Sequence, residues 1–273
     1  MKKGIYILIS LIIIVSILCL LKENKKIQKV TNKEENPYEI FSFYKKDYQT
    51  RYENYQKNNS NLEAKDVVLR VNIGLDNSFY TNTKEVLDFN LYMLVNKYRY
   101  VGEHFQVANL VKVEEFAKEN MYLEKNCMLA FTKMARDANS QGYNIRAIST
   151  YRTYEYQENL YNNYVKKDGV NNADTYSARP GFSEHHTGLA VDIDNIETSY
   201  MNFENTKEFT WMMENAYKYG FILRYPKDKV DITGYMYEPW HYRYVGIEIA
   251  SYIKENNITY EEYYYEFLEN KIE

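Results

Sequence analysis

Cysteine is almost missing from this sequence, which holds two among 273 residues. Cys19 lies in an apolar N-terminal run and Cys127 in a segment with helical spacing, so they are poor partners for each other. A disulfide framework is excluded, and a cysteine-based zinc site with it. Histidine is nearly as scarce, with four residues in the whole chain. Excess positive charge is absent too. The formal net charge is −4, which gives no footing for a nucleic-acid surface, so no nucleic-acid partner is expected. No internal repeat is present.

Tyrosine is what the chain has in abundance, 31 residues against two tryptophans. With the many Asn and Lys residues this is a bias of composition, although Tyr also supplies flat amphipathic area suited to sugars and peptides. Hydrophobic residues make up 45% and charged residues 26%, as in ordinary globular proteins.

Lys2-Lys3 precedes an uncharged, mostly apolar stretch from Gly4 to Leu21. Eighteen helical residues span about 27 Å, close to the hydrocarbon thickness of about 30 Å. The run is longer than a usual signal-peptide core, and no A-x-A-like cleavage site follows it. Residues 1–21 therefore read as an uncleaved transmembrane signal anchor, and residues 22–36, rich in Lys, Glu and Asn, as a tether. Lipidation at Cys19 is disfavoured because Leu18, not a small residue, precedes it. Lysines flank the run on both sides, so charge does not fix its orientation. The chemistry argued below places the C-terminal part outside the membrane.

Residues 37–110 read as an N-terminal extension and 111–273 as the main domain. Val67–Ile73 is rich in β-branched residues and ends at Gly74, which predicts a strand; Leu91–Val95 is expected to be extended. Apolar spacing predicts a helix from Val113 to Ser140. A strand at Asn144–Ser149 comes next, then a helix capped by Thr153 and running to Lys167, with Tyr156, Leu160 and Tyr164 on one face. Residues 168–183 read as a loop. Strands are expected at Leu189–Asp194, Phe221–Tyr225 and His241–Tyr244, and helices at Glu208–Lys218, Val245–Asn256 and Tyr260–Leu268. Helices and strands mix without a βαβ rhythm, so the fold class is α+β, with a small, largely antiparallel sheet flanked by helices.

Three of the four histidines fall in two compact motifs, Ser183-Glu184-His185-His186-Thr187-Gly188-Leu189-Ala190-Val191-Asp192 and Glu238-Pro239-Trp240-His241. Asp192 sits mid-strand, opposite the apolar face of Leu189, Val191 and Ile193. A carboxylate there needs a partner or a metal. Gly188 permits a turn that folds His185 back toward Asp192. His241 supplies a third ligand, leaving one position for water, as at catalytic zinc. Glu238, three residues before His241, suits a general base better than a ligand. Adjacent side chains point apart, so only one of His185 and His186 is expected to bind metal.

These motifs resemble the LAS-type zinc peptidases, which include VanY-type D-alanyl-D-alanine carboxypeptidases and related L,D-carboxypeptidases. The likeness extends to Ser149-Thr150-Tyr151-Arg152-Thr153 with Gln157, to Arg179 through His185, and to Gly220-Phe221 through Arg224-Tyr225-Pro226. It continues in Thr233-Gly234-Tyr235 and the run from Glu238 to Gly246, so it covers roughly residues 145–250. It implies a LAS/hedgehog-type fold, with zinc (Zn2+) bound by His185, Asp192 and His241 and with Glu238 as general base. It implies that Arg152 stabilises the oxyanion and that Gln157 and Ser183 bind the peptide. Trp240 either shapes the pocket or belongs to the core. Many relatives carry Gln where His186 stands. The implied activity is removal of the C-terminal D-alanine from peptidoglycan stem peptides. An L,D-carboxypeptidase acting on tetrapeptide stems, a cross-link endopeptidase and a non-catalytic wall-binding domain remain as alternatives. A monomer anchored to the cell membrane, with its catalytic domain outside the cytoplasm, is the expected state.

Overall fold

A computed structural model describes residues 16–23, 36–195 and 197–272. The apolar run at 4–21 and the tether at 22–36 lie mostly outside the described residues. Residues 16–23 are helical, and among the described residues no helix is long and apolar enough to cross a membrane. The described residues from 42 onward form one compact unit, so the predicted extension from residue 42 onward folds together with the main domain. Cys19 and Cys127 are both free thiols.

The large unit begins with two helices, α1 (Gln49–Asn58) and α2 (Ala64–Ile73). The second corrects the strand expected at Val67–Ile73. Its β-branched residues are buried almost all round, and tertiary burial outweighs a propensity difference of a few tenths of a kcal/mol per residue. Gly74, taken as the end of a strand, is a left-handed helix cap at φ +107°. Two short strands follow, β1 (Lys84–Glu85) and β2 (Arg99–Tyr100), paired in parallel. Leu91–Val95 belongs to no regular element.

Strand β3 (Leu110–Lys112) pairs antiparallel with β4 (Tyr122–Glu124), and helix α3 runs only from Lys125 to Ser140. The helix expected from Val113 thus starts twelve residues later than its apolar spacing suggested. Phe116 and Asn120 adopt left-handed φ values of +57° and +59°, which break any helix. Glu124 sets the true start, its carboxylate accepting from the amides of Asn126 and Cys127.

A four-stranded antiparallel sheet carries the rest, in the order β5 (Arg146–Ser149), β6 (Ala190–Asp194), β8 (His241–Tyr244), β7 (Phe221–Leu223). One face holds Leu189, Val191 and Ile193, which pack with Phe131, Met134, Ala135 and Ala138 of α3 in the main core. Thr153 caps α4 (Tyr154–Asp168) as expected, accepting from the Tyr156 amide. The loop expected at 168–183 contains a short helix, α5 (Val170–Tyr176), entered through Gly169. Helices α6 (Lys207–Asn215), α7 (Val230–Thr233) and α8 (Ile247–Asn256) follow, then a C-terminal helix from Tyr260 with a π-helical turn at Tyr264–Leu268. The α+β class and the antiparallel sheet stand as expected.

Candidate active site

The site forms on the face of the sheet away from α3. Asp192 and His241 are cross-strand partners on β6 and β8, so their side chains rise from the same face side by side. Ser149 on β5 pairs with Asp192 from the other flank. His185 arrives from a tight 3-10 turn, Glu184–Thr187, capped by the Ser183 hydroxyl, which accepts from the His185 amide at 3.3 Å. Gly188 closes that turn at φ +67°, a conformation that costs glycine no Cβ clash. A Cβ at that position would lie 3.0 Å from the Glu124 amide nitrogen.

His185, Asp192 and His241 each offer one donor atom, and the three atoms lie within 4.8 Å of one another, all on buried residues. His185 Nε2 is 3.3 Å from Asp192 Oδ1, and His241 Nδ1 is 3.1 Å from the same oxygen. Zinc bonds of about 2.0–2.1 Å in tetrahedral array put neighbouring donors about 3.3 Å apart, so this trio fits the ion. The far nitrogens are also held. His185 Nδ1 sits 2.7 Å from the Thr150 carbonyl oxygen, and His241 Nε2 is 3.3 Å from Glu184 Oε2. Each imidazole is thereby fixed in the tautomer that presents its lone pair to the ion.

The electrostatics of the two imidazoles diverge. Burial and the Arg152 charge lower His185 to about 4. Burial also opposes charge on His241, yet hydrogen bonds to Asp192 and Glu184 raise it to about 9. Asp192 is held well below the usual carboxylate range by His185, His241 and Arg152 against its burial.

Glu238 stands at the edge of this group, its Oε2 3.8 Å from His241 Nδ1. The turn that places it is closed by the His241 amide donating to the Glu238 carbonyl at 3.2 Å. Burial pushes its carboxyl up to about 8, suiting it to take and return a proton near neutrality. Arg152 Nη2 binds Asp192 Oδ2 at 2.7 Å, Nε and Nη2 bind Ser149 Oγ at 3.0 and 2.8 Å, and Nη1 reaches Gln157 Oε1 at 3.3 Å. The guanidinium therefore holds the outer oxygen of Asp192 and places a fixed positive charge beside the cleft. In the oxyanion role that the resemblance implies, Arg152→Ala is expected to lower kcat by about 10²–10³-fold. Arg152→Lys should recover only part of the loss, because an ammonium does not reproduce the planar fork. Steady-state peptide hydrolysis measures both.

The expected peptide-binding residues all line one cleft of about 600 Å³ together with the trio. Gln157 is buried and donates to the Ala178 carbonyl at 2.8 Å, and Ser183 is buried on the turn that it caps. Trp240 belongs to the cleft wall, edge-to-face against Tyr200 at 4.9 Å. Tyr156, Leu160 and Tyr164 turn their helical face into the same cleft. His186 stays apart from the metal donors. Its Nε2 accepts from the Gly181 amide at 3.1 Å, and its Nδ1 lies 2.8 Å from the Arg152 carbonyl. It braces the backbone of Arg152. His104 is exposed.

Sequence reasoning passed over Glu184, Arg224 and Arg243, which meet in the buried layer beneath His241. Burial opposes the charge of Glu184, but Arg224 and Arg243 hold its carboxyl far below the usual range. The only signal for them was a carboxylate beside a ligand histidine and two arginines in apolar strand contexts, a pattern that ordinary surface ion pairs share.

The chain is similar to known proteins in sequence and in fold. The VanY family profile, D-alanyl-D-alanine carboxypeptidase, matches residues 120–247. The putative carboxypeptidase YodJ of Bacillus subtilis (strain 168) is 42% identical over 183 residues, 64% of this chain and 67% of that protein. The solved LdcB LD-carboxypeptidase superposes with a TM-score of 0.63 at 38% identity, covering 68% of this chain and 91% of that one. A point mutant of the vancomycin-resistance D,D-pentapeptidase VanY, from a VanB-type cassette and in complex with Zn(II), gives a TM-score of 0.55 at 34% identity, covering 63% and 97%. The chain belongs to the VanY D-alanyl-D-alanine carboxypeptidase family.

Proposed function

We propose that this protein is a zinc-dependent D,D-carboxypeptidase that removes the terminal D-alanine from peptidoglycan stem peptides. The observation that carries the reading is the buried trio of His185, Asp192 and His241 with Glu238 at its edge. His185, Asp192 and His241 would hold a zinc ion, which would supply a water acidified to a pKa of about 7 and a Lewis acid for the scissile carbonyl. Glu238 takes the proton of the attacking water and returns it to the departing amine. Arg152 balances the negative charge that develops on the carbonyl oxygen. Ser183, Gln157 and Trp240 line the cleft in which the peptide is held.

Incubating the protein with zinc and a pentapeptide stem is expected to release D-alanine and leave a tetrapeptide, as read by mass spectrometry. The similarity to the LdcB LD-carboxypeptidase supports a second reading, in which the tetrapeptide stem is cut instead. A matched tetrapeptide assayed in parallel separates the two, and release from neither would defeat both.

The apolar run at 4–21, between Lys2-Lys3 and a charged tether, supports a single-pass anchor with the catalytic unit outside the cytoplasm, next to the wall. Protease added to intact cells should remove the catalytic unit if this topology holds, and should spare it if the unit is internal.

A further inference from the structure

The metal ligand His241 stands at the end of a buried relay that reaches beyond the region matched by the family profile. Its Nε2 faces Glu184 Oε2 at 3.3 Å. The other oxygen of Glu184 accepts from Arg224 Nε at 2.8 Å and from Arg243 Nη1 at 2.9 Å. Arg224 then turns its two remaining nitrogens onto Glu261, Nη1 to Oε2 at 2.8 Å and Nη2 to Oε1 at 2.6 Å. The side chains of Glu184, Arg224 and Arg243 are wholly buried, and that of Glu261 is 1% exposed. Besides Glu261, one segment from outside the 120–247 region, residues 93–96, ties the relay down. Asn96 donates to Glu261 Oε1 at 3.3 Å, and the Met93 carbonyl accepts from Arg243 Nη2 at 2.7 Å.

Glu261 lies on the first turn of the C-terminal helix, which the capping box of Thr259 and Glu262 holds in place. A fork-to-fork pair is directional as well as strong. It fixes the plane of the Arg224 guanidinium and neutralises it. Glu184 therefore faces one shared arginine and one unshared arginine, and it keeps an oxygen available for the His241 ring. Without Glu261, the full charge of Arg224 falls on Glu184 and pulls its carboxylate away from His241.

We propose that Glu261 is a positioning residue of the metal centre, acting through Arg224 and Glu184 to orient the His241 ring, so that the C-terminal helix completes the ion site. This rests on the zinc reading given above. Zinc affinity of the full-length chain is the readout, measured by competition with a chromophoric chelator after metal removal and kept separate from hydrolysis. Glu184→Gln is expected to weaken zinc binding by about 10–100-fold, the scale for partners of metal-bound histidine, and Glu261→Gln by about tenfold. The visible bands of the Co(II)-loaded Glu261→Gln chain should shift, reporting a displaced imidazole. Glu262→Gln disturbs the cap of the same helix without touching the relay, and should leave both affinity and spectrum unchanged.

Wild-type zinc affinity in Glu261→Gln, or an equal loss in Glu262→Gln, overturns the proposal. If Glu261→Gln does not fold, Glu184→Gln and Asn96→Ala decide it, since wild-type affinity in both removes the relay from the metal centre. A wild-type chain that binds no zinc sinks the underlying zinc reading instead, so the two failures are distinguishable.

Discussion

Replacing Glu238 by Gln is expected to cut turnover by about 10²–10⁴-fold, the range for losing a positioned general base, while the protein still carries about one zinc per chain. Glutamine keeps the size and one oxygen of the side chain but does not accept the proton of the attacking water. The geometry predicts this split between chemistry and metal content. The His185, Asp192 and His241 donors converge without Glu238, whose Oε2 lies 3.8 Å from His241 Nδ1. Metal analysis of the purified variant, alongside D-alanine release, is the check. Loss of the ion with loss of activity would make Glu238 a ligand and leave the site without an assigned base. Removing a true ligand, as in His241→Ala, is expected to lose both together.

Arg224→Leu is expected to destabilise the fold by about 3–5 kcal/mol, the scale for stripping one partner from a buried ion pair. The guanidinium is fully buried between two carboxylates, 2.8 Å from Glu184 and 2.6 Å from Glu261. Its removal leaves two negative charges with too few donors in a site closed to water. The exposed pair of Arg136 and Glu115, with side chains 60% and 54% accessible, provides the contrast. Arg136→Ala should cost no more than about 1 kcal/mol. Urea unfolding of both variants measures the difference, and an Arg224→Leu loss as small as that of Arg136→Ala would show that water reaches the buried layer.

The convergence of His185, Asp192 and His241 was legible because their spacing has a direct geometric meaning. Asp192 in mid-strand and His185 before Gly188 are local facts, and the structure adds that β6 and β8 pair Asp192 directly with His241. Elements whose form depends on distant packing were harder to read. Val67–Ile73 has the composition of a strand, yet it is a helix because the rest of the unit buries it. Phe116 and Met121 fall at helical intervals with the residues of α3, but left-handed residues at 116 and 120 put them on a loop and a strand edge. The Glu184 layer was beyond sequence reasoning for a similar reason. Its members lie 40, 59 and 37 residues apart along the chain, and only the folded unit brings them together.

Tyr156, Leu160 and Tyr164 have the spacing of a core-facing helix, but they line the open cleft, with Tyr156 57% exposed. This rim of the cleft is therefore built from side chains on which the interior does not rely. Exchanges at such surface positions usually shift stability by no more than about 0.5 kcal/mol. Selectivity among wall peptides of different length or composition is free to drift along this stripe of α4, while His185, Asp192, His241 and Glu238 stay fixed behind it.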